Sequence, residues 1–315
     1  FKLDPAFKDY IWGGTRLRDE YGKKCDYDKV AESWELSCHK DGPSVVAGGE
    51  YKGLTLNEYI EKAGKGVLGK NCERFENFPI LIKLIDAKDN LSVQVHPDND
   101  YAMRVEGEYG KTEMWYVVDC DEGATLLYGF KHEITKEEFA RRIADNTLLE
   151  VTNAVPVKKG DVFFIKSGTL HAIGKGILIA EIQQNSNTTY RIYDYGRVGK
   201  DGKPRELHVN KALDVTKLAP AEQYPETPVE KKDGYDIKLL SKCEYFTTYR
   251  VNVETKAELD ADENSFNSIL VLEGEPVISG GETVSAKKGE SVFISAGTGK
   301  YTVEGKCTFV LTKID

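Results

Sequence analysis

The strongest constraint on what this chain can fold into is an internal repeat. Residues 158–171 read KKGDVFFIKSGTLH, residues 287–300 read KKGESVFISAGTGK, and the two align without a gap. Lys-Lys-Gly, an acidic residue, Phe164 with Phe293, Ile165 with Ile294, Gly168 with Gly297 and Thr169 with Thr298 coincide. Similarity at a fixed spacing signals a repeated architectural unit. Each copy sets a short apolar run between two glycines, the pattern of a buried strand bounded by turns. Most of the remaining chain is short strand-like runs punctuated by Gly, Asn and Asp, so the expected fold class is all-β. Two short helices are expected as additions. Thr55 and Glu58 in TLNEYIEKA form a capping box, and Thr135 and Glu138 in TKEEFARRIAD form another, with Phe139 and Ile143 sharing a face. Residues 219–230, APAEQYPETPVE, carry three prolines and no periodicity. They read as a linker between residues 1–218 and a smaller unit at 231–315.

The length of 315 residues suits two compact units. The six cysteines are scattered with no CxxC pair. The opening FKLDPAFKDYIWGG has no basic segment followed by an apolar one. Together these features lead to the expectation of a reducing, cytoplasmic setting. No run approaches the roughly 18 apolar residues that span a bilayer, so no membrane partner is expected. The net charge of −9 argues against nucleic acid as a partner, while a local basic pocket can still take a phosphorylated small molecule. No GxGxxG opens a helix, which argues against nicotinamide chemistry. Nothing reads as a helix-turn-helix.

Gly160, Gly168 and His171 resemble the second conserved motif of the cupin superfamily, with Lys166 where many cupins have proline. That resemblance implies two β-barrels of jelly-roll type, each with an enclosed mouth where ligands converge. In the second copy Lys300 replaces His171, and no histidine follows His208. The second barrel is therefore expected to lack metal ligands and to shape the mouth of the first.

The residues with metal-like chemistry lie in the first half. In LSVQVHPD, alternation puts Leu91, Val93 and Val95 on one strand face and Gln94 with His96 on the other, and Pro97 ends the strand. Such a pair also suits a hydrogen-bonded polar couple at a barrel rim. Glu113 opens the strand in KTEMWYVVD, a position that is often merely exposed, and His171 alone suits a satisfied core histidine. Taken together, Gln94, His96, Glu113 and His171 supply two imidazoles, a carboxylate and an amide oxygen, a set that leaves room for substrate. Mixed nitrogen and oxygen ligands suit Zn, Mn, Fe, Co or Ni. Arg191 lies in TTYRIYDYG, where alternation places it on one face with Tyr193 and Tyr195. Lys111 is two residues from Glu113 on the same side, a candidate for phosphate contact or proton shuttling. Glu181 is a further inward candidate. His39, His132 and His208 read as exposed or capping groups.

QVHPD, KTEMWYV, GTLHAIGKG and TYRIYDYGR, in this order, together with IWGG and AESWELS, resemble the motifs of type I mannose-6-phosphate isomerases. Gly110 and Thr112 flank Lys111 where longer members have histidine and proline, so the resemblance is to the short bacterial form. It implies one Zn2+ per chain held by Gln94, His96, Glu113 and His171, and an active-site arginine at Arg191. It also implies interconversion of mannose 6-phosphate and fructose 6-phosphate, in a monomer or homodimer. Rival readings are another cupin sugar-phosphate isomerase acting on glucose 6-phosphate, a cupin oxygenase, and a sugar-binding cupin without catalysis.

Overall fold

Two-residue alternation along the long strands builds the molecule in layers. The computed structural model describes residues 1–199 and 201–315. Its strands form sheets of eight, six, five and four members, with few helices among them. The strand Ile177–Gln184 illustrates the layering. Its Leu178, Ala180 and Ile182 face the eight-stranded sheet, where they pack with Leu270, Phe293 and Val310. Its Ile177 and Ile179 face the other way, into a second cluster with Leu126 and Tyr128 of the five-stranded sheet. A third cluster seals the four-stranded sheet onto the eight-stranded one through Val251, Ile269, Phe309, Tyr301 and Val303. Val93, Val95 and Ile192 on the outer face of the five-stranded sheet are covered by Phe139 and Ala212, which lie on helices Lys136–Ala144 and Val209–Val215.

Among the described residues the fold is mostly β, as expected, and no closed barrel is found. Each sheet ends in edge strands, for example Val162–Ile165 and Ala6–Lys8 in the six-stranded sheet. The layers are joined by apolar packing between faces rather than by a hydrogen-bonded seam, the alternative way of managing a large antiparallel sheet.

The two copies of the repeat form matching strands, Val162–Ile165 and Ser291–Ile294. Each follows a glycine in the left-handed region, Gly160 at φ +91° and Gly289 at φ +86°, which is why both copies need glycine there. The strand Ser291–Ile294 also pairs with Lys2–Asp4 at the chain's start, so residues from both ends of the sequence share the eight-stranded sheet. Lys300, the counterpart of His171, is exposed.

The helix Leu56–Ala63 opens with the expected reciprocal box: the Glu58 carboxylate accepts the Thr55 N–H at 2.7 Å, and Thr55 Oγ1 accepts the Glu58 N–H. At Thr135 only half of it forms. The hydroxyl caps the Glu138 N–H, but the Glu138 carboxylate turns to Arg142 instead, 2.8 Å away. The charge-assisted bond to Arg142 is stronger than one to a neutral backbone donor. No described helix is long and apolar enough to cross a membrane.

Candidate active site

The space between the six- and five-stranded sheets is apolar at one end and charged at the other. The change occurs within single strands. Ile177 and Ile179 give way to Glu181 and Gln183 on the same face, Val117 and Trp115 to Glu113, and Ile85 to Lys83. Register lines these groups up: Gln183 pairs with Glu113, and Glu181 pairs with both Trp115 and Lys83. On the opposing sheet Gln94 sits between His171 on one neighbouring strand and Arg191 on the other. Residues from six strands thereby converge at one end of the layer.

His96, Glu113 and His171 are all buried and form a cluster able to hold a metal ion. His96 Nδ1 lies 2.9 Å from the Thr188 carbonyl oxygen and His171 Nδ1 lies 2.8 Å from that of Thr169. A carbonyl accepts only from N–H, so both Nδ1 atoms carry the proton and both Nε2 atoms carry a lone pair. Those two Nε2 atoms face each other at 3.1 Å, where neither can donate to the other. Glu113 Oε1 lies 3.4 Å from His171 Nε2, and Oε2 lies 3.6 Å from His96 Nε2. Neither carboxylate oxygen accepts a hydrogen bond of good geometry, although Lys111 Nζ stands 3.1 Å from Oε2. Lys111 Nζ is also 3.1 Å from His96 Nε2. Lys111 is thus a donor to this cluster, yet both Glu113 oxygens stay without a hydrogen bond of good geometry, and a buried carboxylate left so is costly unless a cation satisfies it. This mixed nitrogen and oxygen donor set fits a divalent metal ion. Gln94 places its amide 3.4 Å from His171 Nε2 through the nitrogen, and rotation of the amide presents Oε1 in its place.

The electrostatics agree. Burial, reinforced by the Lys111 charge, holds the His171 imidazole down to about 4 and His96 well below its ordinary value, so both rings stay neutral and able to ligate. Burial and the nearby Glu181 charge push the Glu113 carboxyl up to about 8 against the pull of Lys111. A bound divalent cation reverses that balance.

A cavity of about 250 Å³ opens beside the cluster, lined among others by Gln94, Lys111, Lys83, Glu181, Arg191 and Arg205. A larger cavity of about 710 Å³, bordered by Glu222–Pro225, contains none of the four ligand candidates. Arg191 is half-buried; its Nη1 donates to the Glu206 carbonyl at 2.9 Å, while its buried Nε has no partner. Burial and the neighbouring Arg205 charge lower its pKa. Arg205 is held by Asp194, which accepts from its Nε at 2.8 Å and also binds Arg197.

Glu181 is buried and points inward. It accepts from the Trp115 indole at 2.9 Å and lies 3.4 Å from Lys83 Nζ. Lys83 in turn lies 3.4 Å from Glu32, which accepts from the Trp34 indole at 2.6 Å. Sequence reasoning missed Lys83 and Glu32. The available signals were a lysine in the otherwise apolar run ILIKLIDA and a glutamate in the wholly buried strand Glu32–Leu36.

Several local expectations fail. Leu91 packs in the inter-sheet cluster rather than with Val93 and Val95, because the regular strand begins only at Val93. A bulge between Arg191 and Tyr193 breaks the alternation, so Tyr193 packs on the outer face and Tyr195 turns at φ +57°. His39 is buried, not exposed, with its ring edge-on to Trp34. His132 is exposed, as expected, and His208 precedes the helix Val209–Val215, where it accepts the Arg191 N–H without capping.

Comparison with known proteins identifies the family. Residues 1–123 match the family described as phosphomannose isomerase type I, catalytic domain, and residues 236–314 match mannose-6-phosphate isomerase, cupin domain. Mannose-6-phosphate isomerase ManA of Bacillus subtilis is 39% identical, over 98% of this chain and 97% of its own length. The mannose-6-phosphate isomerase of Streptococcus mutans is 40% identical, over 90% of this chain and 88% of its own. The crystal structure of the mannose 6-phosphate isomerase from Bacillus subtilis superposes with a TM-score of 0.93 at 38% identity, covering 99% of this chain and 98% of that one.

Proposed function

The chain belongs to the type I mannose-6-phosphate isomerase family, and from that premise we propose that it interconverts mannose 6-phosphate and fructose 6-phosphate. Residues 1–218 carry the chemistry, 219–230 connect, and 231–315 form the smaller cupin-like unit. The observation that carries this reading is the convergence of two imidazole lone pairs and an unsatisfied carboxylate beside a cavity lined by four cationic side chains.

The reaction moves a proton between C1 and C2 of an open-chain sugar through an enediol, and negative charge builds on the carbonyl oxygen. His96, Glu113, His171 and Gln94 would hold one Zn2+ per chain, which when bound polarises that oxygen and stabilises its charge. Arg191 offers a planar guanidinium that remains charged and carries an unpaired Nε donor, suited to a developing oxyanion or a phosphate oxygen. Lys111 places its ammonium within reach of both Glu113 and His96, where it can donate to a sugar oxygen. The pull of Lys111 and Lys83 outweighs burial and keeps Glu181 ionised, so it can accept a proton at the cavity wall. Trp12 and Ile173 close part of the cavity with apolar surface, which excludes water from the enediol.

The test is isomerisation in deuterated water. Fructose 6-phosphate formed from mannose 6-phosphate should carry deuterium at C1, in part because transfer is partly internal. Oxygen consumption without isomer formation would overturn the reading.

A further inference from the structure

We propose that Glu108 is a positioning residue that fixes the His96 ring by holding the Thr188 carbonyl, with His39 and Lys40 as its anchors. The inference rests on the reading of His96 as a metal ligand.

Thr188 lies between the strands Ile177–Gln184 and Tyr190–Tyr193, outside any sheet ladder. The direction of its carbonyl, and with it the His96 tautomer and ring plane, is therefore set by side chains. Ser186 Oγ accepts the Thr188 N–H at 3.2 Å, and Thr188 Oγ1 donates to Glu108 Oε2 at 3.4 Å. The Asn187 N–H reaches the same carboxylate. Glu108 holds this segment at two points, the Thr188 hydroxyl and the Asn187 N–H, and a charged acceptor binds such donors more strongly than a neutral one.

Glu108 is itself anchored. Lys40 Nζ lies 2.9 Å from Oε1. The Asp41 N–H donates to His39 Nδ1 at 3.1 Å, so the imidazole proton sits on Nε2, which faces Glu108 Oε2 at 3.6 Å. Burial opposes the Glu108 charge, but Lys40 and His39 outweigh it and keep the carboxyl below its ordinary range. Asp41 adds a second tie, accepting from Asn187 Nδ2 at 2.9 Å. Three connecting segments, at 39–41, 106–111 and 185–189, are thus clasped around one carboxylate. This gives the buried His39 a role. Glu108 also precedes Lys111 in the same connection, so its carboxylate tethers the segment that delivers the ammonium.

The experiment measures zinc dissociation constants by competition with a chromophoric chelator, on full-length protein first stripped of metal. The variants are Glu108→Ala, Glu108→Gln and Thr188→Val, with melting temperatures of the metal-free forms recorded alongside. Glu108→Ala should weaken zinc binding by roughly 10–100-fold, the scale for losing a group that orients a ligand. Glu108→Gln keeps an acceptor for Thr188 but not the charge that draws Lys40, and should recover part of the loss. Thr188→Val keeps the carbonyl but loses the tether, and should weaken binding even if Glu108→Ala fails to fold. A zinc constant unchanged in Glu108→Ala, or in Thr188→Val when the alanine variant does not fold, overturns the inference alone. Wild-type protein that takes up no zinc overturns the metal reading beneath it.

Discussion

Replacing Lys83 with methionine keeps most of the stem volume and deletes one buried charge. In the native protein Lys83 Nζ stands 3.4 Å from both Glu32 and Glu181 and 4.9 Å from the Trp34 ring, with all three charged side chains almost wholly buried. At an effective dielectric of about 20, a pair of unit charges at that distance is worth roughly 5 kcal/mol. Desolvation takes back most of this in the intact triad, but removal of the cation leaves two carboxylates buried without it. The expected cost is about 3–5 kcal/mol. That is a large fraction of a typical domain's stability of roughly 5–15 kcal/mol. The sign of the pH dependence follows from Glu181, whose pKa the two lysines hold down against burial. A carboxylate depressed in the folded state contributes stability above its unfolded value of about 4.3, which is lost as pH falls through the folded one. Lys83→Met removes that contribution, so its penalty should be full near pH 7 and shrink on acidification as Glu181 takes up a proton. Urea unfolding of wild type and variant at a series of pH values reads this directly. A penalty under about 1 kcal/mol, the range of exposed pairs, or one that does not change with pH, would refute the argument.

Arg191→Ala should cut kcat by roughly 100-fold or more, the scale for losing one oxyanion donor, with Arg191→Lys restoring only part. Steady-state kinetics decide it, since a rise in KM alone would place the guanidinium on the phosphate instead. His171→Ala should lose the metal equivalent that wild type retains, as read by elemental analysis of purified protein. Asp194 is held below its ordinary value because Arg205 and Arg197 outweigh its burial. Asp194→Asn should therefore destabilise at neutral pH, and the gap from wild type should close as pH drops below the usual carboxylate range in acid-unfolding curves.

The ligand candidates were legible because strand alternation acts locally: a Gln and a His two apart on an apolar strand must share a face. The repeat likewise exposed two matching turn–strand units through their left-handed glycines. Lys83 and Glu32 left a local signal but not their role, because each takes its meaning from a partner on another strand. Glu181 is distant from both in sequence, and only register brings Lys83 beside it. The role of Tyr193 was misread for a related reason: a bulge shifts the period and leaves no composition signal. Barrel closure lies at the level above. Alternation states which faces are apolar, but not whether edges are sealed by hydrogen bonds or by a second sheet. His39 went unrecognised because its burial comes from Trp34 and Glu108, in different segments of the chain.

The central claim, that a single metal held by His96, Glu113 and His171 enables isomerisation, is tested most directly by titrating chelator-stripped enzyme with zinc while following fructose 6-phosphate formation from mannose 6-phosphate. The account predicts negligible activity at zero zinc, a linear rise to a plateau at one equivalent per chain, and no rise in His171→Ala. Undiminished activity in the stripped protein, or a plateau reached equally by His171→Ala, would contradict it.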